Sequence, residues 1–251
     1  MRLATLAPNE PEIFTAPQGE GPSAGEVCVF VRLSQCNLHC VWCDTPYTWN
    51  FTGTAFSHRD DQPGRAAKYD RATESVEAGV DALVDRLQAE PVRRLVLTGG
   101  EPLLQQAALG ALVDALKAND PRWYIEVETN GTIRPRGALW SLIDQFNVSP
   151  KLAHSGNAPD LRERGDVLAA YAGDPRAAFK FVVEAPGDLE EVRALMQRYG
   201  IDPPQVWLMP EGRDSATLRA RIDWLAPAAT AMGAYLSDRR HIHTHGDTRG
   251  T

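Results

Sequence analysis

Short apolar runs alternate with helix-period stripes along most of this chain, and that alternation constrains the fold more than any other feature. Val27–Leu33 (VCVFVRL), Arg94–Thr98 (RLVLT), Trp123–Val127, Phe146–Val148, Phe179–Val183 (FKFVV) and Val206–Met209 have the length and composition of buried strands. Between them, Ser75–Ala89 sets Val76, Val80, Leu83, Val84 and Leu87 on one helical face, with Pro91 as a stop. Gln106–Ala118 carries a stripe of Leu109, Leu112, Val113 and Leu116. Ala138–Ile143, Leu161–Tyr171 and Ala216–Met232 read as further helices. Asp188–Tyr199 opens with Asp188 and then Glu191, the pattern of a capping box. A last strand is expected near Ile242. Such alternation argues for an α/β fold with a mostly parallel sheet, either open or closed into a partial barrel. Residues 1–26, rich in Pro, Gly and Glu, read as loop, and the polar stretch 52–73 reads as an insertion. No repeat divides the 251 residues, so a single domain over 1–251 is expected.

Polar motifs follow several of the predicted strands. Thr98-Gly99-Gly100-Glu101-Pro102 follows RLVLT, and Glu128-Thr129-Asn130-Gly131 ends the next strand. Ser149-Pro150-Lys151 and Met209-Pro210-Glu211-Gly212 follow two others. Parallel α/β folds bind ligands at the carboxyl ends of their strands, so these motifs converge on one site. Taken singly, Gly99-Gly100 and Asn130-Gly131 also read as ordinary turns. The net charge of −7 argues against a general nucleic-acid or anionic-membrane binder. The start, MRLATLAPNEPEIF, lacks a leader pattern, and no apolar run approaches the roughly 20 residues of a membrane span. The expected compartment is the cytoplasm.

In such a compartment thiols stay reduced, and three of the four cysteines crowd into SQCNLHCVWC. Cys36, Cys40 and Cys43 follow C-x3-C-x2-C spacing. Three thiolates hold three irons of a 4Fe–4S cluster and leave the fourth iron open to a ligand. The competing reading is structural zinc with His39 or His58 as fourth ligand, although no second ligand pair stands nearby. Cys28, inside the first strand, reads as a core thiol.

The spacing, Trp42 before the third cysteine and Gly99–Pro102 together resemble the radical S-adenosylmethionine enzymes. The resemblance implies that S-adenosylmethionine takes the open iron through its amino and carboxylate groups. It also implies that the adenine lies near Trp42, and that reductive cleavage yields a deoxyadenosyl radical. Gly99, Gly100, Glu101, Glu128, Asn130, Ser149, Pro150, Lys151 and Lys180 are the implied cofactor residues. The opening Ile13-Phe14-Thr15-Ala16-Pro17-Gln18-Gly19-Glu20-Gly21, Arg32, and Asp44-Thr45 after Cys43 resemble the 7-carboxy-7-deazaguanine synthase family. That resemblance implies a 6-carboxy-5,6,7,8-tetrahydropterin substrate, ring contraction with loss of ammonia, and a supporting magnesium ion. It assigns Pro17, Gln18, Gly19, Glu20, Arg32 and Thr98 to substrate within an N-terminal loop 13–26 and the strand ends. The cluster loop spans 34–51, and Thr45 falls to magnesium. A flavodoxin or ferredoxin reductant and a homodimer are further expectations of the family. The residue chemistry is suited to these roles. Gln18 and Glu20 can read a pterin edge, Arg32 can hold a carboxylate in its fork, and Thr45 offers a hard oxygen. The plainer readings are a Gly-rich turn for Gln18 and Glu20, an ion pair for Arg32, a cap for Thr45 and a strand-face marker for Lys180. Two rival functions remain at this level: a radical activase acting on a partner protein, and a zinc-binding interaction module. The His241, His243 and His245 alternation reads as one face of a terminal strand.

Overall fold

The computed structural model describes residues 1–61 and 68–251. Its strands are β1 Arg2–Ala7, β2 Glu10–Pro11, β3 Ile13–Pro17, β4 Val27–Leu33, β5 Ser75–Glu77, β6 Arg94–Gly99, β7 Tyr124–Thr129, β8 Gln145–Val148, β9 Ala177–Val183, β10 Val206–Pro210 and β11 Tyr235–Leu236. Its helices are α1 Arg71–Glu74, α2 Val80–Gln88, α3 Gln106–Asn119, α4 Leu139–Leu142, α5 Pro159–Arg162, α6 Gly165–Ala172, α7 Asp188–Tyr199, α8 Ser215–Met232 and α9 Arg240–His245.

The strands form one sheet in the order β11-β10-β9-β8-β7-β6-β4-β1-β2, with β3 also on β4 and β5 on β1. From β4 through β11 every pair is parallel. The spatial order of this parallel run follows the chain order. Right-handed crossovers that always step the same way keep their helices on one face, and the sheet curls around the other. Period-2 alternation then sorts the side chains. One face carries Val29, Val31, Leu33, Leu95, Leu97, Ile125, Val127, Phe146, Val148, Phe179, Phe181 and Val183, all buried in one core with the helix stripes. Each such side chain contributes about 2 kcal/mol of burial. The opposite face carries Arg32, Thr98, Glu128, Asn147, Lys180 and Met209, and these line a cavity.

Several expectations are corrected. Residues 1–26 are continuous loop only from Gln18 onward, because β1 and β3 both pair antiparallel with β4. Their Pro and Gly content suits edge strands, and Pro17 ends one of them. The segment Ser75–Ala89 is not one helix: Ser75–Glu77 joins β1 and the helix starts after Gly79, so sheet pairing overrides the local stripe. Leu161–Tyr171 divides into α5 and α6. Asp188 does not cap α7 through a capping box. Its carboxylate accepts from the Glu184 and Ala185 backbone N–H groups, and Glu191 pairs with Arg162 instead. Ile242 lies in α9, so the three histidines share a short helix and not a strand face. The insertion 52–73 includes residues 62–67, which lie outside the described residues. Around them, Lys68 Nζ donates to the carbonyls of Thr54 and Phe56, at 2.9 and 2.6 Å.

Candidate active site

The carboxyl ends of β4, β6, β7, β8, β9 and β10 open into a cavity of about 320 Å³. The cluster loop enters it directly from β4. Gln35 adopts φ of 83°, a left-handed conformation that is costly for a side chain with a Cβ. It is held there by its N–H to Thr48 O and its carbonyl to the Glu101 N–H, both at 2.8 Å. The Gly99-Gly100 turn makes that contact feasible. A Cβ on Gly99 would lie 2.1 Å from Leu33 O, and one on Gly100 would lie 1.9 Å from Gln35 O. Glycine is therefore required where β6 presses its end against the cluster loop.

Cys36, Cys40 and Cys43 all line this cavity. Burial pushes all three thiols above their ordinary value, Cys40 to about 12. Thiolates here need a cationic partner. Donors already face two of the sulfurs: Leu38 N–H lies 3.4 Å from Cys36 Sγ, and Asn157 Nδ2 lies 3.3 Å from Cys40 Sγ. A thiolate-ligated iron–sulfur cluster fits this donor set. Among the described residues no three His, Cys, Asp or Glu side chains converge on a single metal ion. Thiolates that each take a different iron of a cubane do not have to. The zinc reading needs His39 or His58, and both have other partners. His58 Nε2 meets Cys43 O at 2.8 Å, and its Nδ1 accepts from Asp60 N–H at 3.2 Å. His39 stacks on Phe56.

Of the residues assigned to the cofactor, Trp42, Gly99, Gly100, Glu128, Asn130, Ser149, Lys151 and Lys180 are on the cavity wall. Trp42 stacks on His154 with ring centroids 5.4 Å apart, and its indole N–H has no partner among the described residues. Lys151 Nζ donates to Ser149 Oγ at 2.9 Å. Glu101 and Pro150, also implied as cofactor residues, lie behind the cavity wall. Glu101 is wholly buried and accepts from Leu103 N–H, Asn130 N–H and the Thr129 hydroxyl. Its carboxylate braces the β6 turn against the end of β7.

The residues assigned to substrate, Pro17, Gln18, Gly19, Glu20, Arg32 and Thr98, also line the cavity, as does Thr45. Gln18 Nε2 and Thr98 Oγ1 both donate to Glu128, at 3.2 and 3.3 Å. Lys180 Nζ lies 3.6 Å from Glu128 and is also hydrogen-bonded to Glu20. Glu128 and Lys180 thus stand between the two sets. Arg239 Nε donates to Glu20 at 3.0 Å, and its Nη2 pairs with Asp44. Burial acts to raise the Glu20 pKa, but Lys180 and Arg239 outweigh it and hold the carboxyl well below the usual range. Asp44 is lowered in the same way: burial acts to raise it, and Arg239, Arg32 and His241 together outweigh that. Arg32 Nε donates to the buried Glu12 at 2.6 Å, and Tyr47 OH caps that carboxylate at 2.9 Å. The Arg32 Nη groups take no protein acceptor among the described residues. Thr45 precedes the Pro46–Thr48 turn without a side-chain cap, and its hydroxyl lies 3.6 Å from Cys43 Sγ.

Sequence reasoning missed Glu12, Asn147, Asn157 and Arg239. Asn147 had a signal: a polar residue inside an apolar strand, as with Lys180. The others show no local pattern, because their partners are far away in the chain. The tail does reach the cavity, through Arg239, His241, Ile242, Asp247, Thr248 and Arg249.

Comparison with known proteins finds relatives over most of the chain. Residues 18–168 match the family described as a 4Fe-4S single cluster domain. The 7-carboxy-7-deazaguanine synthase of Pyrobaculum aerophilum is 35% identical over 241 residues, covering 95% of each chain. That of Rhodopirellula baltica is 31% identical over 255 residues, covering 96% of this chain and 87% of the relative. The crystal structure of QueE from Escherichia coli superposes with a TM-score of 0.63 at 25% identity, covering 96% of this chain and 95% of that one. The curled sheet and the cysteine triad at its rim define a radical S-adenosylmethionine enzyme with one 4Fe–4S cluster. Within that class, the chain belongs to the 7-carboxy-7-deazaguanine synthase family, whose chemistry serves deazapurine biosynthesis. Among the described residues no helix is long and apolar enough to cross a membrane.

Proposed function

We propose that the cavity binds 6-carboxy-5,6,7,8-tetrahydropterin and converts it to 7-carboxy-7-deazaguanine, with ammonia as the other product. The observation that carries this reading is the union, in one cavity, of the cysteine triad with Gln18, Glu20 and Arg32. Glu20, kept ionised by Lys180 and Arg239, accepts from the amino and ring N–H groups of the pterin edge. Gln18 sits beside it, its own amide oriented by Glu128. Arg32, fixed through Nε by Glu12, presents its remaining N–H groups to the substrate carboxylate. Thr45 offers its hydroxyl to a magnesium ion that shares that carboxylate. On the cluster side, Gly99 and Gly100 expose backbone to the methionyl end of S-adenosylmethionine. Trp42 offers its face to the adenine, with Asn130, Ser149 and Lys151 as polar neighbours. When bound, the cluster and S-adenosylmethionine supply the electron and the hydrogen-abstracting group.

A small flavodoxin or ferredoxin as electron donor and a homodimeric assembly, both resting on the family resemblance, complete the proposal together with the cytoplasmic location expected from the sequence. The test is an anaerobic assay of reconstituted protein with reductant, S-adenosylmethionine, magnesium and the carboxypterin, read by mass spectrometry. Formation of 7-carboxy-7-deazaguanine is expected. Deoxyadenosine without that product would keep the radical class and remove the substrate.

A further inference from the structure

We infer that Asn157, on the loop after β8, is a positioning residue for the iron–sulfur cluster and raises its reduction potential through a hydrogen bond to the Cys40 sulfur. The inference rests on the reading of the three cysteines as cluster ligands. Asn157 Nδ2 lies 3.3 Å from Cys40 Sγ. The amide cannot be the other way round. Its Oδ1 accepts from the backbone N–H of His39 at 2.8 Å, and a backbone nitrogen only donates. The nitrogen end must therefore face the sulfur.

A second contact secures the same end. Asn157 Nδ2 also lies 3.2 Å from Ser155 Oγ. Ser155 is wholly buried and is tied to the cluster loop by Val41 N–H to its carbonyl, at 3.0 Å. The loop after β8 thus grips the cluster loop on both sides of Cys40, through His39 and Val41. Among the described residues, neither of the other two sulfurs has a side-chain amide as near. Cys36 receives the neighbouring Leu38 N–H at 3.4 Å, while Asn130 Nδ2 is 4.0 Å away, and Cys43 faces Thr45 Oγ1 at 3.6 Å. Cys40 is also the most buried of the three, at 6% exposure. A donor aimed at a buried thiolate stabilises the reduced cluster, which carries one more negative charge, and so raises the potential.

The test is a redox titration of the reconstituted cluster, followed by electron paramagnetic resonance, with no S-adenosylmethionine present. Wild type is compared with Asn157→Ala and Asn157→Asp. The aspartate keeps the acceptor for His39 N–H, removes the donor and adds a negative charge beside the sulfur. Both variants are expected to bind iron and sulfide as wild type does. The midpoint is expected to fall by about a tenfold change in the reduction equilibrium for Asn157→Ala, about 59 mV for one electron, and further for Asn157→Asp. Support also comes from an Asn157→Asp protein that rejects the cluster beside an Asn157→Ala protein that holds it at a lowered potential. Loaded variants with unchanged midpoints overturn the inference. So does loss of iron from both variants, which would make Asn157 a brace for the loop. A wild-type protein that binds no iron or sulfide would sink the cluster reading itself.

Discussion

Glu20 is held by two cations, Lys180 and Arg239, and this gives the apoprotein an acid limb whose sign can be worked out. In the unfolded chain Glu20 titrates near 4.5, while in the fold it stays ionised well below that. Below about pH 4.5 the unfolded state therefore binds the extra proton, and stability falls with falling pH. The contribution is complete above that point and disappears as pH drops through the depressed folded value. Glu20→Gln is expected to cost about 3 kcal/mol near neutrality, because it breaks a buried pair. It should also flatten the acid limb. Thermal melts of the metal-free protein from neutral to acid pH check this, and parallel limbs in both proteins would count against it. Arg32 shows the same logic at a single contact. Glu12 takes its Nε, so the guanidinium reaches the cavity already oriented.

At the scale of elements, the decisive contact is between the end of β6 and the start of the cluster loop. Gly100 is packed on the Gln35 carbonyl so closely that even a methyl group would overlap backbone. Backbone cannot turn away as a flexible side chain can, so Gly100→Ala is expected to push the cluster loop off β6. The expected loss is roughly 3 kcal/mol, with reduced iron content after reconstitution. Denaturant melts and iron analysis measure both, and a variant that melts and loads like wild type would show that the loop adjusts freely. Glu101 belongs to the same joint. Its carboxylate holds Thr129 and Asn130 in register with the turn.

For the whole molecule, Arg239 is the tie. It joins the tail, the N-terminal segment through Glu20 and the cluster loop through Asp44, and it also donates to the Gly212 carbonyl at 2.6 Å. Arg239→Gln is expected to raise the KM for the carboxypterin by roughly 10- to 100-fold, from lost charged hydrogen bonds. Cofactor cleavage without substrate should persist. Steady-state kinetics and deoxyadenosine formation separate the two, and equal loss of both would mean that Arg239 supports the cluster loop as a whole. The strand–helix alternation was legible in the chain because a parallel sheet covered by helices demands largely apolar runs such as Ala177–Val183, broken only at Lys180. The cysteine triad was legible because its members share one loop, so spacing alone carries their geometry. The early strands were not, since β1 and β3 owe their conformation to pairing with β4 and not to local composition. The terminal histidines were misjudged for the same reason: period 2 looked like a strand, and packing against Gly19 and Ser215 made a helix. What only tertiary structure decided are the contacts Glu12–Arg32, Glu20–Arg239–Asp44 and Asn157–Cys40. Each joins residues distant in the chain, and no local pattern encodes which polar side chain a folded sheet will bring opposite another.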